Sequence, residues 1–384
     1  MNNSMKRRIA VYAICKDELQ FVDKWMKSML EADAVCVLDT GSTDGTWERL
    51  NYWKEKYPDK IFLGQKTFNP WRFDVPRNES MKLIPDGMDM WWCTDLDELA
   101  VPGWANAFRQ QWDDSCGKMT YKYAWSHHSD GSPGRVFWYD KLTSADRRWR
   151  WVHPVHEQLS LGEADEWYKT SELDGNTIYL HHYPVTKDSR GSYLPLLEMR
   201  CKETPNDFYG HIYLSHEYLY QNQPQNCFDY IQKVTLPMAC KTIIEQGRDN
   251  LITIGDLYMF MGRAKLALNE IDEALEYFLQ GVKIAPHFRE NYLYAAKIYL
   301  DYKKDYVGAI HMVNDCFLRS RRYYSWLELD NSWKEEPWDI LTLAYWNIGC
   351  THISLQCAKI AALEDPNNTR LQDNIKIIEH SLEK

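Results

Sequence analysis

Short apolar runs alternate with amphipathic stretches in the first part of the chain. The runs of strand length occupy residues 9–15, 34–38, 61–63 and 88–93. Between them, residues 19–31 carry apolar side chains at helical spacing, and residues 46–57 form a second amphipathic pattern. Strands that alternate with helices predict a Rossmann-like α/β fold with a mostly parallel sheet. Such sheets bind ligands at the carboxyl ends of their strands.

The pattern changes along the rest of the chain. Residues 120–185 are irregular and aromatic, and the short strands predicted there are 119–125, 135–142 and 176–182. Beyond about residue 190 the spacing becomes helical. Residues 254–286 predict two helices that end at Pro286, with small residues at tetratricopeptide spacing. Residues 288–318 and 338–366 echo this pair, and residues 208–235 form a more divergent one. The alternative is an ordinary helical bundle.

These patterns predict two domains, an α/β domain over residues 1–200 and an all-α repeat domain over residues 201–384. The composition, 45% hydrophobic and 26% charged, is that of a globular protein. A net charge of −10 argues against binding to nucleic acid or to an anionic membrane by bulk charge. No apolar run reaches the ~18 residues that a membrane span requires.

Localisation is predicted from the cysteines and the first residues. Ten cysteines are scattered through the chain without a CxxC pair, which favours free thiols in a reducing cytoplasm. The apolar run at 9–15 is short for a signal peptide, and no small-residue cleavage site follows it. We therefore expect this run to be the first strand of a cytoplasmic protein.

The first motif with chemical potential is Val37-Leu-Asp-Thr-Gly-Ser-Thr-Asp-Gly-Thr46. Asp39 ends an apolar strand, and Gly41 permits a tight turn and close approach of a ligand. Ser42 and its neighbours offer acceptors and a cap for the following helix. The alternative is a well-capped junction between a strand and a helix, without any ligand.

The second motif is Asp95-Leu-Asp97, which also follows an apolar strand. Two carboxylates at this spacing can converge on one hard divalent cation, or on a ribose and a cation. A bound diphosphate needs its charge neutralised, and Mg²⁺ or Mn²⁺ does this with oxygen ligands. Taken alone, the motif is also typical of a solvated acidic turn.

In this order, the two motifs resemble the family 2 glycosyltransferases of GT-A fold. The other stretches that carry the resemblance are IAVYAICKDE at 9–18, DVPRN at 74–78, RWVHPVHEQ at 150–158 and YLHHY at 179–183. Asp17 stands where the family has asparagine. The resemblance spans roughly residues 8–200. The trailing helices match a bacterial subgroup that includes the sublancin-type peptide S-glycosyltransferases.

The resemblance implies a role for each site residue. The residues implied to bind the nucleotide sugar are Ala13, Cys15, Asp17, Glu18, Asp39, Gly41, Ser42, Arg77 and Asp95. Asp97 would ligate Mn²⁺ or Mg²⁺, with Asp95 and either His181 or His182 as further contacts. Glu157, oriented by His156, is the first candidate for the base that deprotonates the acceptor, and Glu98 is the second. A buried histidine pair, His153 with His156, is the alternative for that loop.

By the same resemblance, the chain is an inverting glycosyltransferase. It would move a hexose from UDP-glucose or another UDP-hexose to an oxygen or sulfur nucleophile on a peptide, protein or glycan acceptor. The helical domain would bind the acceptor or form a homodimer. The alternative is a non-catalytic helical-repeat interaction protein with an inert sugar-nucleotide-binding domain. A nucleotidyltransferase is disfavoured because no glycine-rich, basic phosphate loop opens the chain.

Overall fold

A computed structural model gives the architecture. It describes residues 7–128, 130–146, 148–162, 169–184, 193–246, 251–322 and 327–383. The chain divides into two compact units, Met1–Arg200 and Cys201–Lys384. The first unit combines a sheet with helices and the second is helical.

The strands of the first unit fall close to the predicted runs. In chain order they are β1 Ile9–Cys15, β2 Ala34–Asp39, β3 Ile61–Gln65, β4 Met90–Cys93, β5 Glu98–Ala100, β6 Cys116–Ala124, β7 Val136–Ser144, β8 Arg150–Val152, β9 Gln158–Ser160, β10 Lys169–Glu172 and β11 Ile178–His182. The helices are α1 Leu19–Met29, α2 Thr46–Lys56, α3 Asp74–Met81, α4 Trp104–Gln111 and α5 Tyr193–Glu203.

The main sheet is mixed, whereas the sequence predicted a mostly parallel one. Within the described ranges its order is β3-β2-β1-β4-β7-β6-β11-β5, with β10 also paired to β6. The block β3-β2-β1-β4 is parallel throughout. In the other half, β7 runs antiparallel to both of its neighbours and β5 runs antiparallel to β11. The difference arises because a strand's direction depends on distant partners, which local periodicity does not report.

Both faces of the parallel block are covered, which explains why its strands read as continuous apolar runs. In β1, Val11 packs in one buried cluster with side chains of α1, α2 and α4. Its neighbour Tyr12 points to the other face and packs with side chains of α3, β8 and β9. Because β1, β2 and β4 are parallel, their carboxyl ends lie at one edge of the sheet, where the loops that follow them begin.

The second unit is built of paired helices of tetratricopeptide-like type. They are α6 Phe208–Tyr220, α7 Pro224–Tyr230, α8 Leu236–Gln246, α9 Leu251–Ala267, α10 Ile271–Ile284, α11 Arg289–Lys297, α12 Tyr306–Arg319, α13 Glu335–Asn347, α14 Thr351–Glu364 and α15 Thr369–Leu382. Helix α9 packs against α10, α11 against α12, and α13 against α14. These pairs match the three helical pairs that the spacing predicts. Short π-helical segments, Ile231–Thr235 and Ile298–Lys303, interrupt the pattern.

Gly262 allows α9 and α10 to approach closely. A Cβ atom at this position would lie 2.5 Å from Cε1 of Phe278, which is itself fully buried. We expect Gly262→Ala to destabilise the protein by about 1–3 kcal/mol through overpacking, measured by denaturant unfolding. The sign of the change in stability is diagnostic, because replacing glycine by alanine in an isolated helix stabilises that helix by about 1 kcal/mol. Adding Phe278→Leu should recover part of the loss, and stabilisation by Gly262→Ala alone would contradict this packing.

Two further features concern the chain as a whole. None of the helices in the described ranges is long and apolar enough to cross a membrane. All ten cysteines fall within those ranges and are free thiols. Cys15 and Cys93 are buried at the carboxyl ends of β1 and β4, which places two of these thiols beside the acidic turns considered next.

Candidate active site

The first acidic turn is anchored by the carboxylate of Asp39, which is fully buried at the end of β2. The amides of Gly41 and Ser42 each donate to its Oδ1 at 3.0 Å, and Nε2 of Gln65 donates to the same atom at 3.2 Å. Burial alone would raise the pKa of Asp39, but these hydrogen bonds hold it below its ordinary value. The carboxylate is therefore ionised, and Oδ1 is engaged in shaping the turn.

The loops after β1 and β2 are bound to each other at this turn. The amide of Asp17 donates to Oγ of Ser42 at 2.8 Å, and the amide of Thr43 donates to Oδ1 of Asp17 at 2.7 Å. The amide of Glu18 donates to Oγ1 of Thr46 at 2.8 Å. Six of the nine residues implied for the nucleotide therefore meet here. Ala13 packs in the buried core, and Arg77 and Asp95 lie at the second acidic turn.

Gly41 explains the tight geometry of this turn, and Cys15, at the end of β1, lies beside Asp39. Gly41 has φ +108°, and a Cβ atom there would lie 2.8 Å from Cγ2 of Thr67, so only glycine fits without strain. Cys15 is paired with Asp39 across β1 and β2, and its Sγ lies 3.7 Å from Oδ2 of Asp39. Burial, with the charge of Asp39, raises the pKa of Cys15 well above its ordinary value, so this thiol is neutral.

The second acidic turn follows β4, which lies beside β1 in the sheet. The amide of Asp95 donates to Oε2 of Glu98 at 2.9 Å, which closes the turn. Glu98 is buried, and burial together with the charge of Asp95 raises its pKa to about 7. Since one strand separates β2 from β4, the two turns start roughly 10 Å apart along the same edge.

Arg77, on α3, joins two carboxylates that are distant in sequence. Its Nε donates to Oε1 of Glu157, and its Nη1 lies 3.0 Å from Oδ1 of Asp95. Nη1 also donates to Sγ of Cys93 at 3.3 Å. The guanidinium is only 5% exposed, so it is committed to these partners. A direct contact of Arg77 with a nucleotide, implied by the resemblance, would require this network to open.

The two cations of this network change the pKa values of its carboxylic acids. Burial raises the pKa of Asp95 and of Glu157, but Arg77 and Lys141 outweigh it and hold both below their ordinary values. Nζ of Lys141 lies 3.8 Å from Oδ2 of Asp95. The positive charges of Arg77 and Lys141 thus largely offset the negative charges of Asp95 and Glu157.

The structure distinguishes the two candidate histidines. Nε2 of His182 lies 3.3 Å from Oδ2 of Asp97, and its Nδ1 lies 3.0 Å from the carbonyl oxygen of Trp125. Burial lowers the pKa of His182, but the hydrogen bond and charge of Asp97 raise it above its ordinary value overall. Nδ1 of His181 instead lies 2.9 Å from Nε2 of His127, and burial lowers its pKa. His182 is therefore the histidine beside the acidic turn.

Gln65 and Lys141 contact the site but were not among the predicted site residues. Gln65 ends β3, so its position at the carboxyl end of a third parallel strand was the available signal. Lys141 is a buried lysine inside the apolar alternation of β7, which is unusual unless a charge partner faces it. That partner, Asp95, lies in the turn after β4, so the pairing was not visible locally.

A cation would find few protein ligands at this edge. No group of three or more His, Cys, Asp or Glu side chains capable of holding a metal occurs in the described ranges. The side chains of Asp95 and Asp97 are 35% and 22% exposed. Mg²⁺ is commonly held by one or two carboxylates together with substrate phosphates and water. The donor set therefore fits a cation that enters with a diphosphate, and does not fit a resident metal cage.

Comparison with known proteins gives distant similarities to solved structures that include tetratricopeptide proteins. No protein-family model and no curated protein matches the chain. A thermophilic TPR protein of Thermus thermophilus has 15% identity and a TM-score of 0.34, covering 49% of this chain and 90% of its own. MamA from Desulfovibrio magneticus RS-1 has 14% identity and a TM-score of 0.35, covering 46% and 85%. The first TPR of Spaghetti (RPAP3), bound to an HSP90 peptide, has 15% identity and a TM-score of 0.29, covering 34% and 94%.

These similarities are distant and concern about half of the chain or less. They carry no conclusion about what this protein binds or does. The tetratricopeptide-like description depends instead on the helix pairs of this chain and on close contacts such as Gly262 against Phe278.

Proposed function

We propose that the first unit is a glycosyltransferase of GT-A type that takes its hexose from a nucleotide sugar, UDP-glucose or another UDP-hexose. The observation that carries the proposal is the presence of two acidic turns at one edge of a parallel strand block, with Asp97 partly exposed there. Open sheets bind ligands at this edge. The acceptor would be an oxygen or sulfur nucleophile on a peptide, protein or glycan.

In this proposal the first turn receives the nucleotide. Asp39 is ionised, and its Oδ2 faces Cys15, whose neutral thiol is a weak donor. Because Asp39 and Cys15 are buried, a uracil N–H would have to displace this thiol contact, and it would then give the carboxylate a stronger hydrogen bond. The loop formed by Asp17 and Ser42 holds the turn rigid, so that little ordering is required when the base binds.

The second turn would receive the diphosphate. Asp97 and Asp95 would hold Mn²⁺ or Mg²⁺, which when bound neutralises charge on the departing diphosphate. His182 orients the Asp97 carboxylate, because its imidazole is fixed on the other side by the carbonyl of Trp125. Arg77 and Lys141 hold Asp95 and keep it ionised.

Glu157 and Glu98 remain the two candidates for the base on the acceptor side. Glu157 is held by Arg77, so it must lose this ion pair or share it when an acceptor binds. Glu98 is 2% exposed and accepts the Asp95 amide. Either glutamate would need local opening to reach an acceptor. The variants Glu157→Gln and Glu98→Gln identify the base. The variant that removes the base should lose turnover, while its affinity for UDP stays within about twofold of the wild type.

One observation favours the alternative, a non-catalytic repeat protein with an inert first unit. The pairing of Arg77 with Asp95 and Glu157 satisfies these charges without any ligand, as a purely structural network would. In that case the helical unit would be the interacting part. Within the enzyme proposal, the same helical unit binds the acceptor or forms a homodimer.

Release of free nucleotide separates the two functions. The full-length protein is incubated with a panel of nucleotide hexoses in Mn²⁺, Mg²⁺ or chelator, and the liberated nucleoside diphosphate is measured. We expect slow hydrolysis of one UDP-hexose that requires the metal. Products formed on candidate peptides and glycans are then identified by mass spectrometry. No release from any donor, in any metal, would favour the inert unit.

A further inference from the structure

Strands β6 and β7 carry aromatic side chains beside the second acidic turn. The rings of Tyr123 and Tyr139 are stacked, with centroids 4.5 Å apart and planes at 16°. Phe137 meets both of them edge-on, at 5.4 Å and 5.9 Å. Trp125, just beyond β6, lies on the same face as Tyr123, since both rings approach His182 at 6.3 Å and 6.2 Å. We call these four residues the aromatic strip. Tyr123 is buried in the core, Phe137 and Tyr139 pack against that core, and Trp125 is the exposed member.

The aromatic strip connects the two ends of the second acidic turn. At one end, Nζ of Lys141 lies 4.7 Å from the ring centroid of Tyr139 and 3.8 Å from Oδ2 of Asp95. At the other end, the carbonyl of Trp125 contacts His182, which in turn contacts Asp97. A group attached to a diphosphate at Asp95 and Asp97 would therefore lie near Trp125, the exposed member of the strip.

Trp125 differs from the other tryptophan that contacts this network. Trp151 is 3% exposed, and its Nε1 donates to the hydroxyl of Tyr12 at 3.0 Å, so it belongs to the core. Trp125 is 40% exposed. Its amide donates to the carbonyl of Arg135 at 2.8 Å, which fixes its backbone to the start of β7. A large apolar ring is thus held in a set position and is partly exposed, with the guanidinium of Arg135 over it at 5.7 Å from the ring centroid.

We propose that the aromatic strip, with Trp125 as its exposed element, is the subsite that binds a hexopyranose ring. This inference depends on the proposed function. A pyranose has an apolar C–H face that packs on an indole and hydroxyl groups that need polar partners. Here the polar partners are Asp97 and His182 beside the strip. The ring is either the hexose of the donor or a sugar unit of a glycan acceptor.

The two sources are distinguished by calorimetry on the full-length protein with Mn²⁺. Three titrations are compared: UDP, UDP-glucose, and a methyl glucoside added to the UDP-saturated protein. For Trp125→Ala we expect unchanged affinity for UDP and a loss of roughly five- to tenfold for one pyranose ligand. A loss for UDP-glucose identifies the donor hexose, and a loss for the glucoside identifies the acceptor sugar.

Two matched variants control the result. Trp125→Phe keeps a ring and should retain most of the affinity. Trp138→Ala removes a tryptophan of similar exposure, 38%, on the opposite face of β7, where it contacts Lys122, and should change nothing. An equal loss in Trp138→Ala, an equal loss for UDP alone, or unchanged affinity for both pyranose ligands in Trp125→Ala would overturn the proposal.

Failure of the proposed function gives a different pattern. If the wild-type protein binds no UDP, the nucleotide-sugar proposal is contradicted. Titration with the glucoside alone then tests whether the aromatic strip binds a pyranose. Binding that is sensitive to Trp125→Ala would then support a carbohydrate site, and no binding would overturn it. If UDP binds but neither pyranose adds affinity, the aromatic strip fails while the nucleotide site stands.

Discussion

Replacing Asp97 by asparagine is expected to lower UDP-hexose turnover by about 100-fold or more. Asparagine preserves the shape of the side chain but removes the charge that attracts a cation and that faces His182. Because the Asp97 side chain is 22% exposed, its loss should leave the fold intact. The measurement is the rate of UDP release with saturating Mn²⁺, with thermal unfolding monitored in parallel.

An exposed carboxylate elsewhere on the first unit provides the control. Asp59, in the turn before β3, is exposed, and Asp59→Asn should release UDP at the wild-type rate. Turnover in Asp97→Asn within about twofold of the wild type, with the same dependence on Mn²⁺, would remove Asp97 from the proposed site. Activity that is lost equally in both variants would indicate a general effect of charge.

Replacing Arg77 by methionine is expected to have the largest effect on stability. Arg77 and Glu157 are nearly buried, with side chains 5% and 10% exposed, and Asp95 is a third member of the network. Removing the cation leaves buried carboxylates without their partner, which costs about 3–5 kcal/mol. The measurement is denaturant unfolding of the wild type and the variant at several pH values.

The effect should depend on pH in a defined direction. The folded-state pKa of Glu157 is lowered in the wild type, so its contribution to stability is present above the unfolded-state pKa and is lost as the pH falls through the folded-state value. The variant lacks this contribution. The difference in the free energy of unfolding should therefore be largest near pH 7 and should shrink as the pH falls below 4.5, the ordinary pKa of a glutamate.

Two other arginine variants complete the test. Arg77→Lys keeps the charge without the forked geometry and should recover only part of the stability. Arg148 is 68% exposed and paired with Asp146, so Arg148→Met should leave the unfolding midpoint unchanged. A difference between Arg77→Met and the wild type that does not change with pH would contradict the role assigned to the carboxylates.

Local features of the fold could be predicted from the sequence. The first strand was predicted at its observed limits, because an apolar run bounded by charge is a local signal. Three helical pairs in the second unit followed from spacing in the same way. The mixed sheet could not be predicted, because β11 pairs with β6 in parallel and with β5 in antiparallel orientation, and both partners are distant from it in sequence.

The candidate site, too, could be predicted only where its signals are local in the sequence. The turns at Asp39 and Asp95 follow apolar strands, and this position was visible in the sequence. The pairing of Arg77 with Glu157 was not visible, because it joins residues 80 positions apart. The choice between His181 and His182 depends on which face of β11 meets Asp97, which requires the register of that strand with β5.

The central claim is that the acidic edge of the first unit binds a nucleoside diphosphate with a divalent cation. Calorimetric titration of the full-length protein with UDP, with and without Mn²⁺, tests it most directly. We predict one site whose affinity requires Mn²⁺ and is strongly reduced in both Asp39→Asn and Asp97→Asn. Absence of UDP binding in the presence of Mn²⁺, or binding that neither variant weakens, would contradict it.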